Sequence, residues 1–190
     1  MAEVLLIHHI QGLTDGVLAF ADDLRAGGHT VHVPDLYDGH TFATIEEGFA
    51  HQKGVDGDAL VDAVVADLPA ELVYAGFSWG VPRVQRLAQT RPGARGALFY
   101  ESCIPISGEW AFGPWPDGVP VQIHGKEGDE FFEEDLPAAR ELVETVGPDL
   151  AELFVYPGDA HLFTDRSLPA YDAEAAGLVL QRSLAFLDRL

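Results

Sequence analysis

Short apolar runs bounded by turn residues recur along this chain, at Val4–His8, His29–Val33, Leu72–Ala75, Gly96–Tyr100, Val119–His124 and Glu152–Tyr156. Runs this short and this continuous are what strands look like when both faces of their sheet are covered. Between them lie segments with helical spacing of apolar residues: Gly16–Arg25, Ala59–Asp67, Pro82–Ala88, Leu136–Val146 and Ala173–Leu187. Strand–helix–strand alternation calls for right-handed crossovers, and these build a parallel sheet. The expected class is α/β, with a mostly parallel sheet and helices on both faces. At 190 residues and 47% hydrophobic content the chain can bury one substantial core and is too short for two ordinary domains, so one domain over residues 1–190 is expected.

Charge narrows the partners. Acidic residues outnumber basic ones 31 to 11, a formal net charge of −20. Such a surface repels polyanions, so nucleic acid and anionic membranes are not expected partners, and a small molecule is. The N-terminus enters an apolar run without a basic segment, and no stretch reaches the roughly 18 uninterrupted apolar residues of a membrane span. The expected location is cytoplasmic. The lone Cys103 cannot form an internal disulfide and reads as a small buried hydrophobe. Metal-site spacings of the C-x-x-C and H-E-x-x-H kind do not occur, and the adjacent His8 and His9 would face opposite sides of a strand. No metal or cofactor is expected.

Gly76-Phe77-Ser78-Trp79-Gly80 follows the third apolar run and precedes a helical segment. Two glycines let the chain turn sharply there and present the Ser78 hydroxyl at the C-terminal edge of the sheet, as in the nucleophile elbow of α/β-hydrolases. A serine hydroxyl needs a base within hydrogen-bond reach and a carboxylate to orient that base. Only His124 and His161 follow Ser78; His124 ends an apolar run, whereas His161 sits on the turn after the last one and is the candidate base. The acid belongs on the loop after the penultimate strand, where Asp129 is best placed, with Glu127, Glu130 and Glu101 as competitors. Oxyanion donors are expected from the backbone N–H of Trp79 and of Ile10, the latter in the loop His8–Gly12. Two irregular segments, Pro34–Gly54 and Glu101–Gly118, emerge beyond strand ends and are expected to shape a pocket. Gln11, Trp110, Trp115 and Phe163 are candidate substrate-binding residues, with Trp79 and Phe112 as further pocket walls.

In these motifs the chain resembles the dienelactone hydrolases of the α/β-hydrolase superfamily. The resemblance covers nearly the whole chain: Val4–Gly12, Pro34-Asp35-Leu36-Tyr37, Gly76–Gly80, His124-Gly125 leading to Gly128-Asp129, and Tyr156–Phe163. It implies a hydrolase without a separate lid domain, with Ser78, Asp129 and His161 as triad. The departures are also informative. The best-known members carry a cysteine where this chain has Ser78, and a glutamate in the oxyanion loop where it has His9. They hold a substrate carboxylate through arginines, one shortly after the histidine; here Asp165 stands near that position, with Arg166 displaced by one and Arg83 as a remoter alternative. The expected reaction is hydrolysis of small carboxylic esters or lactones through an acyl-serine intermediate. An amidase or peptidase of the same fold is an alternative, as is a non-catalytic binding protein with a misaligned triad crowded by Trp79.

Overall fold

Each of the apolar runs is a strand. In the computed structural model, which describes residues Met1–Leu190, β1 (Glu3–Ile7), β2 (Thr30–His32), β3 (Leu72–Phe77), β4 (Ala94–Tyr100), β5 (Val121–Lys126) and β6 (Ala151–Tyr156) form one sheet in the order β2-β1-β3-β4-β5-β6. All neighbouring pairs are parallel. From β1 the chain steps outward to β2 and then returns to the other side of β1 to lay down β3. That reversal opens a crevice beyond the C-terminal ends of β1 and β3, the place where open parallel sheets bind ligands.

Both faces of the sheet are covered, which is why the strands read as continuous apolar runs. Successive side chains point to opposite sides. Leu5, Tyr74 and Phe99 join one core with Val61, Val84 and Leu142 of α3 (Gly57–Ala66), α4 (Val81–Thr90) and α5 (Glu130–Val146). Their neighbours Leu6, Val73 and Leu98 join the other with Val17, Phe20, Val179 and Phe186 of α1 (Asp15–Ala26) and α6 (Ala173–Leu187).

Two helices depart from the sequence expectation. α2 (Ile45–Gln52) lies inside the segment read as irregular, capped by the Thr44 hydroxyl on the Glu47 N–H. α5 starts at Glu130 rather than near Leu136, because the Asp129 side chain caps it by accepting from the Phe131 N–H at 3.1 Å. Pro137 is tolerated within the helix although it removes one backbone donor. No helix is long and apolar enough to cross a membrane.

Candidate active site

β3 ends at Phe77, and the chain turns through Ser78–Gly80 into α4, which has Pro82 in its first turn. Ser78 sits at φ +44, in the left-handed region, where a residue bearing a Cβ costs about 1 kcal/mol or more. Both flanking glycines are sterically required. A Cβ on Gly76 would lie 2.9 Å from the Gly80 carbonyl carbon, and one on Gly80 would lie 2.7 Å from the Ile7 carbonyl oxygen. The turn thus packs elbow against strand and lifts the serine hydroxyl off the sheet edge.

The loop after β6 brings His161 to that hydroxyl, with Nε2 2.7 Å from Ser78 Oγ. On the other side of the ring, Nδ1 lies 2.6 Å from Asp129 Oδ2. The carboxylate can only accept, so Nδ1 carries the proton and Nε2 is free to receive one from Ser78. Asp129 is fully buried and holds two partners at once, His161 through Oδ2 and the Phe131 N–H through Oδ1. The Phe131 ring packs on the imidazole at 4.7 Å between centroids. Burial disfavours the imidazolium, but the hydrogen bond to Asp129 and the charges of Glu101, Asp129 and Asp135 outweigh it, so His161 stays above its ordinary 6.5.

The loop after β1 faces the elbow. Its turn closes through the Gly12 N–H to the His9 carbonyl at 3.0 Å, and the Ile10 N–H makes no hydrogen bond within the chain. His9 Nδ1 accepts from the Gln11 N–H at 3.2 Å, which places the ring proton on Nε2, donated to Asp165 Oδ2 at 2.8 Å. Asp165 also takes the Thr14 hydroxyl and both the N–H and hydroxyl of Ser167. Burial alone would raise this carboxyl; the hydrogen bonds from His9, Ser167 and Thr14 bring it down to about 2. Asp165 therefore does not face the pocket. It ties the β1 loop to the chain just after His161. His8 points to the other side, as expected, donating from Nδ1 to the His9 carbonyl and accepting the Leu36 N–H at Nε2. Burial pushes it down to about 4, so it is neutral. α2 seals the loop from outside, since a Cβ on Gly48 would lie only 2.2 Å from the Ile10 carbonyl oxygen.

A hollow of about 400 Å³ opens beside His161, lined by Ile45, Gly128, Asp129, Glu130, Phe131 and Asp159. Sequence reasoning missed Ile45, hidden in the unrecognised α2, and gave Phe131 no role, although it stands two residues past Asp129. Most of the expected substrate-binding side chains lie elsewhere. Gln11 is buried and donates to the Phe42 carbonyl at 2.9 Å. Trp115 is a core residue whose indole N–H bonds the Val119 carbonyl at 2.8 Å, and Phe163 is fully buried between β6 and Lys126. Trp110 projects into solvent, 78% exposed. The Trp79 ring does not crowd Ser78; it is packed between His8 and Tyr37 with Arg83 stacked 4.0 Å above it.

Nor is a cation poised there. Arg166 pairs with Asp23 of α1, Arg83 donates to the Trp79 carbonyl at 2.7 Å, and Lys126 is bonded to Asp172 at 2.7 Å. Glu101, the rival acid, bonds Thr164 and not His161. No group of three or more His, Cys, Asp or Glu side chains is arranged to hold a metal ion.

Comparison with known proteins places the fold. The chain overlays a candidate dienelactone hydrolase from Klebsiella pneumoniae subsp. pneumoniae with a TM-score of 0.73 at 21% identity, covering 100% of this chain and 88% of that one. A dienelactone hydrolase-like promiscuous phosphotriesterase from metagenomic libraries gives 0.75 at 16% identity, with 100% and 87% covered. A phospholipase/carboxylesterase from Dyadobacter fermentans gives 0.59 at 20% identity, with 95% and 88% covered. These similarities show the α/β-hydrolase fold. No curated protein sequence matches the chain. A sequence profile of the dienelactone hydrolase family matches residues 1–190 from end to end, and the chain belongs to that family of hydrolases.

Proposed function

We propose that this hydrolase cleaves small carboxylic esters or lactones through an acyl-Ser78 intermediate. The observation that carries the reading is the continuous chain from Ser78 Oγ to His161 Nε2 at 2.7 Å and from His161 Nδ1 to Asp129 at 2.6 Å. In this reading His161 accepts the hydroxyl proton as Ser78 Oγ bonds to the substrate carbonyl carbon. Asp129 keeps the imidazole in the right tautomer and stabilises the imidazolium. The carbonyl oxygen, now an oxyanion, is met by the backbone N–H groups of Trp79 and Ile10, the latter already without an internal partner. His161 then returns the proton to the leaving alcohol, and water repeats the sequence to release the acid.

The decisive experiment is reaction with a serine-directed phosphonate, followed by mass mapping of the modified peptide. Labelling at Ser78 that blocks hydrolysis of a short-chain aryl ester is the expected result. Labelling elsewhere, or none with an intact fold, would sink the reading.

A further inference from the structure

One residue at the end of β4 defies both local and packing preferences. Glu101 is 1% exposed, and its backbone lies at φ +65. A Cβ-bearing residue is disfavoured there by about 1 kcal/mol relative to glycine, and a carboxyl without full pairing is costly to bury. Rules broken twice at one position point to function. Oε1 accepts from the Thr164 N–H at 3.3 Å and from the Thr164 hydroxyl at 3.1 Å, whereas Oε2 is buried with no partner. The Glu101 N–H donates to the His124 carbonyl at 2.7 Å, which pins the turn that carries the side chain inward. Thr164 belongs to the same loop as His161, so the carboxyl grips the loop that presents the base. Non-glycine positive φ recurs at Leu162, next to His161, at φ +59, and at Ser78 itself. Three of the four non-glycine residues at positive φ thus stand around the imidazole; the fourth is Asp38, in the segment after β2.

The charges around Glu101 can be named element by element. The β6–α6 loop contributes His161, and the β5–α5 connection contributes Asp129. At the end of β5, the His124 ring is kept neutral by burial, its nitrogens on the Tyr156 hydroxyl and the Gln122 side chain. On α5, Asp135 accepts from the Ser102 hydroxyl and the Cys103 N–H, the residues that follow Glu101. Burial pushes the Glu101 carboxyl up to about 7, with His161 the strongest influence drawing it back.

We infer that Glu101 is a positioning residue for the reaction proposed above, fixing the His161 loop through Thr164 and offering its free oxygen as a second counter-charge to the imidazolium. The inference rests on the acyl-serine reading. Two carboxyls then share the stabilisation of one cation: Asp129 by direct hydrogen bond, Glu101 through space. The proton stays on Nε2 between leaving Ser78 and reaching the alcohol, and neither carboxyl receives it.

Glu101→Gln keeps the shape and an oxygen for both Thr164 bonds but removes the charge. Folded protein with kcat lowered about 3- to 10-fold and KM little changed is expected, as for a group acting only on the charged intermediate. The His161 imidazole, followed by NMR titration without substrate, should move to lower pH by about half a unit or more, and the acid limb of kcat/KM should follow. Glu101→Asp, which retains a charge, should restore most of that movement. Glu101→Leu, similar in bulk and apolar, is the second variant if the amide does not fold, and should move His161 the same way. Asp129→Asn should lose further activity when Glu101→Gln is added, by more than Glu101→Gln loses alone. A His161 titration unmoved in a folded Gln or Leu variant would overturn the inference. That readout needs no substrate, so it is distinct from failure of the acyl-serine reading, which would appear as wild-type protein inert to esters and to the phosphonate.

Discussion

Ser78→Ala removes a small hydroxyl that contributes little to packing, so the fold should persist while turnover falls about 10⁴-fold or more. Turnover above about a tenth of wild type would move the nucleophile elsewhere. Asp129→Asn keeps an acceptor for the Phe131 N–H but no longer fixes the imidazole tautomer. It should cut kcat far more than Glu101→Gln, and an exchange of ranks would make Glu101 the principal acid. The pH dependence follows from the same residues. His161 must be neutral to accept the proton, and its surroundings hold it above 6.5, so kcat/KM should rise with pH through an apparent value above that of free imidazole. Below that value the base is already protonated and the rate is lost; a flat profile between about pH 5 and 8 would exclude histidine-assisted attack. That Ser78, Asp129 and His161 would meet was legible because each sits at a strand end marked by turn residues. The pocket wall was not, because an aromatic side chain reads alike whether it fills a core, as Trp115 and Phe163 do, or meets solvent, as Trp110 does.

At the scale of elements, the sheet was readable because helices on both faces make its strands apolar throughout; all six residues of β3 are buried. α2 was not readable for the opposite reason. Its one fully buried residue is Gly48, and Ile45 alone adds an apolar contact with the core, too little to read as a stripe; the close approach of Gly48 to the Ile10 carbonyl also sets its place. The early start of α5 was hidden by Pro137, which ordinarily belongs near a helix N-terminus. The α2 contact yields a further prediction. Gly→Ala in an exposed helix interior usually stabilises by about 1 kcal/mol. Gly48→Ala instead drives a methyl against the Ile10 carbonyl, in the loop proposed to hold the oxyanion, so it should lower kcat at least about tenfold with little effect on KM, as for loss of a contact made only in the transition state. Equal kcat with a raised melting temperature would show that the Ile10 N–H does not take part.

Over the whole molecule, charge should sort substrates. The protein carries a formal −20, the hollow beside His161 is lined by Glu130 and Asp159, and Arg83, Arg166 and Lys126 are each tied to other groups. A neutral short-chain aryl ester should therefore show kcat/KM at least about tenfold above a matched ester bearing a free carboxylate, a difference of ~1.4 kcal/mol. Kinetics on the pair at two salt concentrations decide it: preference for the carboxylate, fading as salt rises, would mean that one of those cations swings into the pocket. The double attachment of Asp129 has a consequence on another timescale. One oxygen caps a helix and the other holds the base, so a lineage that stopped needing the reaction would still be selected to keep this aspartate for the sake of folding. Ser78, strained and replaceable, would drift first. In a survey of random variants scored by cellular abundance, Asp129 should rank as intolerant and Ser78 as permissive, and only a screen for turnover should make the two look alike.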